Sequence, residues 1–503
     1  MSPVPVVDLF AGPGGLNEGF SSLLRPDGDQ VFRAVSSFEM DARACDTLRL
    51  RSAVRSLRGS TEGLSFYSGF LNGEISWSQL IEQREVAAGL RDAERHVQQV
   101  ELGPASRDAS SDVIRDALSS AGGGPWVLIG GPPCQAYSLV GRARRTNDAT
   151  FGDDVKHFLY REYLDIIERH RPPVFVMENV KGLLSHTHGG AHLFSRIIED
   201  LSTAGDGYEI RSFVVDPHAS LQPTKALAPK DYVIRSEEYG VPQKRHRVIL
   251  LGVQSGLTGR SSRILTSAAG LSVEAVLADL PSVRSQISPK REDTVGLWRS
   301  IRSEALQLAG ERRHNLPVPA STGFARGGKS AGMADGILQA WLTNRSGGAV
   351  TQHEARSHMP TDLMRYAYLA ARAKQGHIVK VDQLPEALRP NHANIGGPNT
   401  PFSDRFRVQR LNDPSTTITS HISKDGHYYI HPDPSQMRSL TVREAARLQT
   451  FPDDYFFCGN RTQQYHQVGN AVPPFLARQL AEVVADFLGV GADGGRGLAK
   501  GDQ

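Results

Sequence analysis

A chain of 503 residues, 39% hydrophobic and 22% charged, is too long for one ordinary core and predicts two or three domains of a soluble globular protein. Its apolar runs are too short to span a bilayer and its start lacks a basic-then-apolar export segment, so a cytoplasmic location is expected, while a net charge of +3 admits nucleic acid as a partner without requiring it. Cys45, Cys134 and Cys458 are spaced too widely for a disulfide framework or a metal site, so a reducing compartment and no metal are expected.

In chain order, the pattern opens strand, turn, helix. A strand over residues 4–9 leads into Phe10-Ala11-Gly12-Pro13-Gly14-Gly15, and a helical pattern runs from 16 to 24. A second strand over 33–38 ends at Glu39, and a helix follows from 41 to about 57. This βαβα start argues for a parallel sheet. Residues 58–121 fit that plan less well and read as an insertion, with an exposed helix over 79–100 and a loop over 103–111. The sheet pattern resumes with a strand at 126–129, a helix at 154–170 stopped by Pro172-Pro173, and a strand at 174–177 that ends at Glu178-Asn179. Further strands are expected at 210–215, 232–234 and 247–253, the last two as an antiparallel pair at the edge of a mixed sheet.

From about 254 to 437 the composition shifts to Gly, Ser, Arg, Asn and His with little periodicity, which predicts a second domain of irregular loops. Helical patterns return at 441–449 and 474–487, and the Gly-rich tail from 489 is expected to be disordered.

Three segments carry chemistry. The 10–15 turn can cradle a nucleotide, because glycines let a ligand approach backbone N–H groups at a helix N-terminus. Glu39 ends the next strand, where a carboxylate can accept hydrogen bonds from ribose hydroxyls. Gly130-Gly131-Pro132-Pro133-Cys134-Gln135 aims a thiol from a stiff turn just past a strand. Glu178 ends the following strand, so thiol and carboxyl share one sheet edge, an arrangement suited to covalent catalysis. In Gln243-Lys244-Arg245-His246-Arg247, alternation puts Arg245 and Arg247 on one face, suited to a phosphate or a polar base edge.

Taken in order, DLFAGPGG, GGPPCQ, ENV, QKRHR, RSLTVREAARLQTFP and QVGNAVPP resemble the DNA (cytosine-5) methyltransferase family across nearly the whole chain. The resemblance implies a Rossmann-like α/β fold, a mostly parallel sheet with one antiparallel edge strand. Its catalytic S-adenosylmethionine-binding domain would comprise 1–255 and 438–488, with a target-recognition domain at 256–437. It implies methyl transfer to C5 of cytosine in duplex DNA. Cys134 would attack C6 of a flipped-out base, Glu178 would hold N3 and the amine, and Arg247 would contact the base oxygen with Arg245 beside it. Phe10, Gly12, Gly14, Gly15, Glu39, Met40, Asn470 and Val472 would bind the cofactor, and Gln135, Gln243 and Arg443 the substrate. A monomer that protects host DNA beside a restriction or phage-defence nuclease is the implied role.

Two departures stand out. The family's acidic residue for the adenine amine has only Asp112 as a candidate, in helix-like surroundings, and the stretch before it is long. The recognition region offers His353, Arg356, Arg405, Arg407, Arg410, Thr416 and Thr417 as DNA contacts. An RNA cytosine methyltransferase and a silent DNA-binding homologue are the alternatives. The long 254–437 region argues against the first, and the presence of Cys134, Glu178 and Arg247 against the second. A dinucleotide oxidoreductase would want GxGxxG after the first strand.

Overall fold

The computed structural model describes residues 2–133, 159–185, 187–188, 191–216, 227–257, 261, 263–311, 318–332, 336–343, 347–390 and 404–490. Cys134, Gln135 and the tail beyond 490 lie outside them.

Strands β1 (Val4–Leu9), β2 (Phe32–Glu39), β3 (Val97–Gln99), β4 (Val127–Gly130), β5 (Val174–Val180), β6 (Tyr208–Ser212), β7 (Val233–Arg235) and β8 (His246–Gln254) form one sheet. Its order is β3-β2-β1-β4-β5-β8-β6, with β7 also on β8. The ladders among β1 to β5 are parallel. Among the described strands of this sheet, β8 alone runs opposite to the rest. The reversed strand is therefore interior rather than an edge, because β6 and β7 share its far side: β7 pairs with 246–248 and β6 with 250–254.

Alternation along β1 sorts the two faces. Val4 and Val6 pack with Leu16 and Phe20 of α1 (Gly15–Ser21) and with Leu476, Leu480 and Val484 of the C-terminal helix. Val7 and Leu9 face the other way, toward Tyr163 and Ile167 of α7 (Leu159–His170) and Ile197 and Leu201 of α8 (Leu193–Thr203). Phe20 is fully buried, and truncation of such a ring to Ala costs roughly 3–5 kcal/mol.

Residues 58–121 are more than an insertion. After α2 (Ala42–Ser56) they supply α3 (Thr61–Leu71), α4 (Trp77–Glu82), α5 (Arg84–His96), strand β3 itself and α6 (Arg107–Ser120). Serine caps start two of these helices: Ser60 accepts from Gly63 N–H, and Ser76 forms a capping box with Gln79. The expected helix over 79–100 stops at His96, and β3 pairs Ser37 with Val97 through Glu39 with Gln99. The expected loop at 103–111 is helical from Arg107.

The 256–437 stretch divides between two cores. Val273, Val276 and Leu277 of α9 (Val273–Leu277), Leu338, Trp341 and Leu342 of α11 (Ile337–Thr343), and Ile418, Ile422 and Tyr429 join the main core. A separate cluster forms where α10 (Val295–Leu308) packs on α12 (Pro360–Lys374), around Trp298, Ile301, Leu363 and Tyr366. The chain then returns through α13 (Val442–Leu448), α14 (Arg461–Asn470) and α15 (Pro474–Leu488), whose Pro474 start and αL Gly489 stop fix its length.

One loop ties the helical segment to this region. Arg326 Nη1 donates to the carbonyls of Phe70 (3.0 Å) and Ile75 (2.7 Å), and its guanidinium lies 4.4 Å from the Phe70 ring centre. Gly327 N–H donates to Leu71 O at 3.0 Å, and Lys329 Nζ to Asn72 Oδ1 at 2.8 Å.

Candidate active site at the carboxyl edge of the sheet

Parallel strands end together, so β1, β2, β4 and β5 deliver Phe10, Glu39, Gly131 and Glu178 to one edge. The reversed β8 starts there, pairing Arg247 with Val180. Arg247 Nε lies 2.8 Å from Glu178 Oε1, with both side chains largely buried. A carboxylate paired with a fixed guanidinium presents acceptor and donor groups to a polar ring edge.

The Gly-Gly-Pro-Pro turn is held against this pair. A Cβ at Gly131 would stand 2.8 Å from Glu178 Oε2, so any other residue here would displace the carboxylate or the turn. Asn179 Nδ2 donates to Pro132 O at 3.4 Å, while its Oδ1 accepts from Val180 N–H at 2.8 Å. The next residue after Pro133 is Cys134. Of the two cysteines within the described residues, burial pushes the thiols of Cys45 and Cys458 up to about 12, so neither is poised as a thiolate.

The first turn forms the second half of the site. Phe10 and Gly12 both hold positive φ, and Glu39 Oε2 accepts from Gly12 N–H at 2.8 Å while Oε1 accepts from Asp41 N–H at 2.8 Å. Space around Gly12 is open, and Met40 beside Glu39 is 62% exposed. A carboxylate at the end of β2, an exposed thioether and an open glycine backbone fit the ribose, base and chain of S-adenosylmethionine. Packing also requires Gly14 and Gly15: a Cβ at Gly14 would press on Leu48, and one at Gly15 on the Val472 carbonyl. Val472 thus meets the turn through its backbone, and Asn470 stands exposed at the end of α14, its amide 3.2 Å from His466 Nδ1.

Asp8 lies beneath this turn, 1% exposed, with no hydrogen-bond partner for either oxygen among the described residues. Burial, and then the Glu39 charge, hold its carboxyl well above the usual range.

Several expected contacts are corrected. Asp112 lies on the outer face of α6, ion-paired with Arg115, because the segment is a helix that never reaches the edge. The acidic residue nearest the end of β3 is Glu101, just after Val100, whose N–H bonds Glu39 O at 2.9 Å. Its signal was the short run 97–100 ahead of Gly103-Pro104. Arg443 is 0% exposed and donates to Thr351 O, Pro452 O and Tyr455 O, so it braces backbone rather than touching substrate. Gln243 is equally buried, joined to Leu448 O, Gln449 Oε1 and Ile418 N–H. Arg245 is buried too, donating to Ile418 O at 2.7 Å and Gly469 O at 3.3 Å, and burial beside Arg247 pushes its guanidinium well down.

In the recognition region, His353 and Arg356 are buried, His353 with both ring nitrogens bonded, to Thr441 Oγ1 and Pro281 O. Arg405, Arg407 and Arg410 are exposed and paired with Asp425, Asp404 and Asp413. Thr416 bonds Gln409, and Thr417 Oγ1 donates to Lys244 O at 2.6 Å.

The open α/β sheet, the glycine turn beside Glu39 and the Glu178–Arg247 pair together fit an S-adenosylmethionine-dependent methyltransferase. The family model of C-5 cytosine-specific DNA methylases matches residues 125–294 and 333–486. The chain is 32% identical to the type II methyltransferase M.Bpa9945I of Bacillus paralicheniformis over 96% of its own length and 99% of that protein. It is 29% identical to the type II methyltransferase M.AgeI of Thalassovita gelatinovora, over 74% and 85% of the two chains. In fold it is similar to a crystal structure described as a candidate DNA modification methyltransferase encoded within an E. coli prophage (18% identity, TM-score 0.50, 97% and 99% covered). The chain belongs to the C-5 cytosine-specific DNA methylase family.

Proposed function

We propose that the protein is a DNA (cytosine-5-)-methyltransferase that modifies a specific duplex sequence and protects host DNA beside a restriction or defence nuclease. The Glu178–Arg247 pair, set against the Gly-Gly-Pro-Pro turn at the carboxyl edge, carries this reading. The protective role rests on the type II methyltransferases it resembles.

The target cytosine leaves the duplex to reach the edge. Glu178 holds N3 and the exocyclic amine, and Arg247 holds the carboxylate and meets the base's carbonyl oxygen. Gly131 keeps the Cys134 turn tight on Glu178. The Cys134 thiolate adds to C6 while N3 is protonated or hydrogen-bonded, which makes C5 nucleophilic. Bound S-adenosylmethionine supplies an electrophilic methyl group to C5. Loss of the C5 proton and expulsion of the thiolate then restore the ring. Glu39, Gly12, Phe10 and Met40 hold the cofactor, and Asn470 closes the site.

Duplex DNA bearing 5-fluorocytosine tests this, since fluorine cannot leave as a proton does. The expected product is a covalent adduct on the Cys134 peptide by mass spectrometry. Methyl transfer by a Cys134→Ala variant, or an adduct elsewhere, overturns the mechanism.

A further inference from the structure

Arg356 stands 8% exposed where three parts of the molecule meet. Its guanidinium donates to the carbonyls of Ile422, Lys424 (2.9 Å) and Ser423 (3.5 Å), at the end of a 3-10 turn over Ser420–Ser423. Backbone carbonyls at a helix end lack intrahelical donors, and a buried cation there satisfies them. The same guanidinium lies 4.1 Å from the ring centre of Tyr465 in α14. It therefore bolts the 415–424 loop to α14.

That loop touches both halves of the site. On one side Ser415 and Thr416 pair with Gln243 and Lys244, Ile418 N–H donates to Gln243, and Ile418 O accepts from Arg245, the segment leading directly to Arg247. On the other side the backbone of Thr419 and Ser420 lies so close to Gly469 that no Cβ fits there, one residue before Asn470. Because Arg356 joins the loop to α14, any displacement of that helix would act on the loop as well.

We propose that Arg356 is a positioning residue that couples closure of the cofactor site by Asn470 to the placement of the base-holding segment 243–247. The inference rests on the function proposed above. Coupling between two sites is a ratio of affinities, typically 5- to 150-fold.

The test measures the dissociation constant for a duplex carrying the target sequence, with and without S-adenosylhomocysteine, in wild type, Arg356→Lys and Arg356→Ala. In wild type the analogue should tighten DNA binding at least fivefold. In Arg356→Lys, which keeps the charge and loses the planar fork, the ratio should fall below twofold while each ligand alone binds within about threefold of wild type. Arg356→Lys is the deciding variant should Arg356→Ala fail to fold. An unchanged ratio, or equal loss of both affinities alongside a lower melting temperature, overturns the proposal. A wild-type protein that transfers no methyl group to DNA defeats the function reading itself, which separates the two failures.

Discussion

The carboxylate of Glu178 lies 2.8 Å from Nε of Arg247, joining a parallel strand to the one strand that runs the opposite way. Reversal of β8 is what makes the pair possible: were it parallel, its arginine would emerge at the far edge. Glu178→Gln and Arg247→Ala should each lower methyl transfer by about 10²–10³-fold, the scale of losing one oriented charged group at a reacting centre. Filter-bound methyl incorporation would measure this, with cofactor affinity by calorimetry staying within about twofold.

Gly131 offers a steric version of the same experiment. The Cβ of Gly131→Ala would press on Glu178 Oε2 from 2.8 Å. Either the carboxylate rotates off Arg247 or the Pro-Pro turn backs away. Activity should drop at least tenfold with the melting temperature nearly unchanged, and a fully active variant would show that the turn and Glu178 need not touch.

Asp112 and Glu101 separate the sequence reading from the structural one. Asp112→Asn, on an exposed helix face, should leave S-adenosylmethionine affinity unchanged. Glu101→Gln, two residues past β3 and next to Val100, whose N–H bonds Glu39 O, should weaken it severalfold. Isothermal titration of both variants decides, and the opposite pattern would restore Asp112.

Asp8 predicts an alkaline liability. Its folded pKa is raised, so the native state binds a proton that the unfolded chain releases near pH 4, and stability falls as pH rises from there toward the folded value. Asp8→Asn keeps the shape without the ionisation. Thermal melts should show it more stable than wild type at pH 8, with the gap closing below pH 4. A less stable Asn variant at pH 8 would mean the charged form has a favourable partner.

His353 and His358 predict the converse. Burial lowers them to about 4 and about 3, so both are neutral in the folded state. The unfolded chain takes up their protons near pH 6.5, and stability is lost as pH falls from there through the folded values. Each contributes roughly 3 kcal/mol of acid destabilisation by pH 3 to 4. Unfolding followed at Trp298, in the core that His358 flanks, should move to lower temperature below pH 6, and His358→Gln should flatten that slope.

Local punctuation made much of the site readable. Gly12-Pro13-Gly14-Gly15, Gly131-Pro132-Pro133 and Glu178-Asn179 each follow a short apolar run, so their edge position follows from strand direction alone. What escaped was set by distant packing. The resemblance gives Arg443 to the substrate, yet its partner Thr351 lies 92 residues away. Arg356 looks like a phosphate contact until Ile422, 66 residues on, claims it. Strand β3 has three residues between two helices, too few to break a helical pattern. The borders of the second region blurred because Trp341 donates to Thr450 O across the expected boundary.

The packing of α1 against α15 has a consequence for biosynthesis. Gly15 and Gly19 are covered by Val472 and Ala477, more than 450 residues further along the chain. At about 5–20 residues per second, the ribosome needs on the order of half a minute to join them. Until then the apolar back of β1, with Val4, Val6 and Phe20, lacks its cover. The main core on that face therefore closes only after the 472–488 segment has been made.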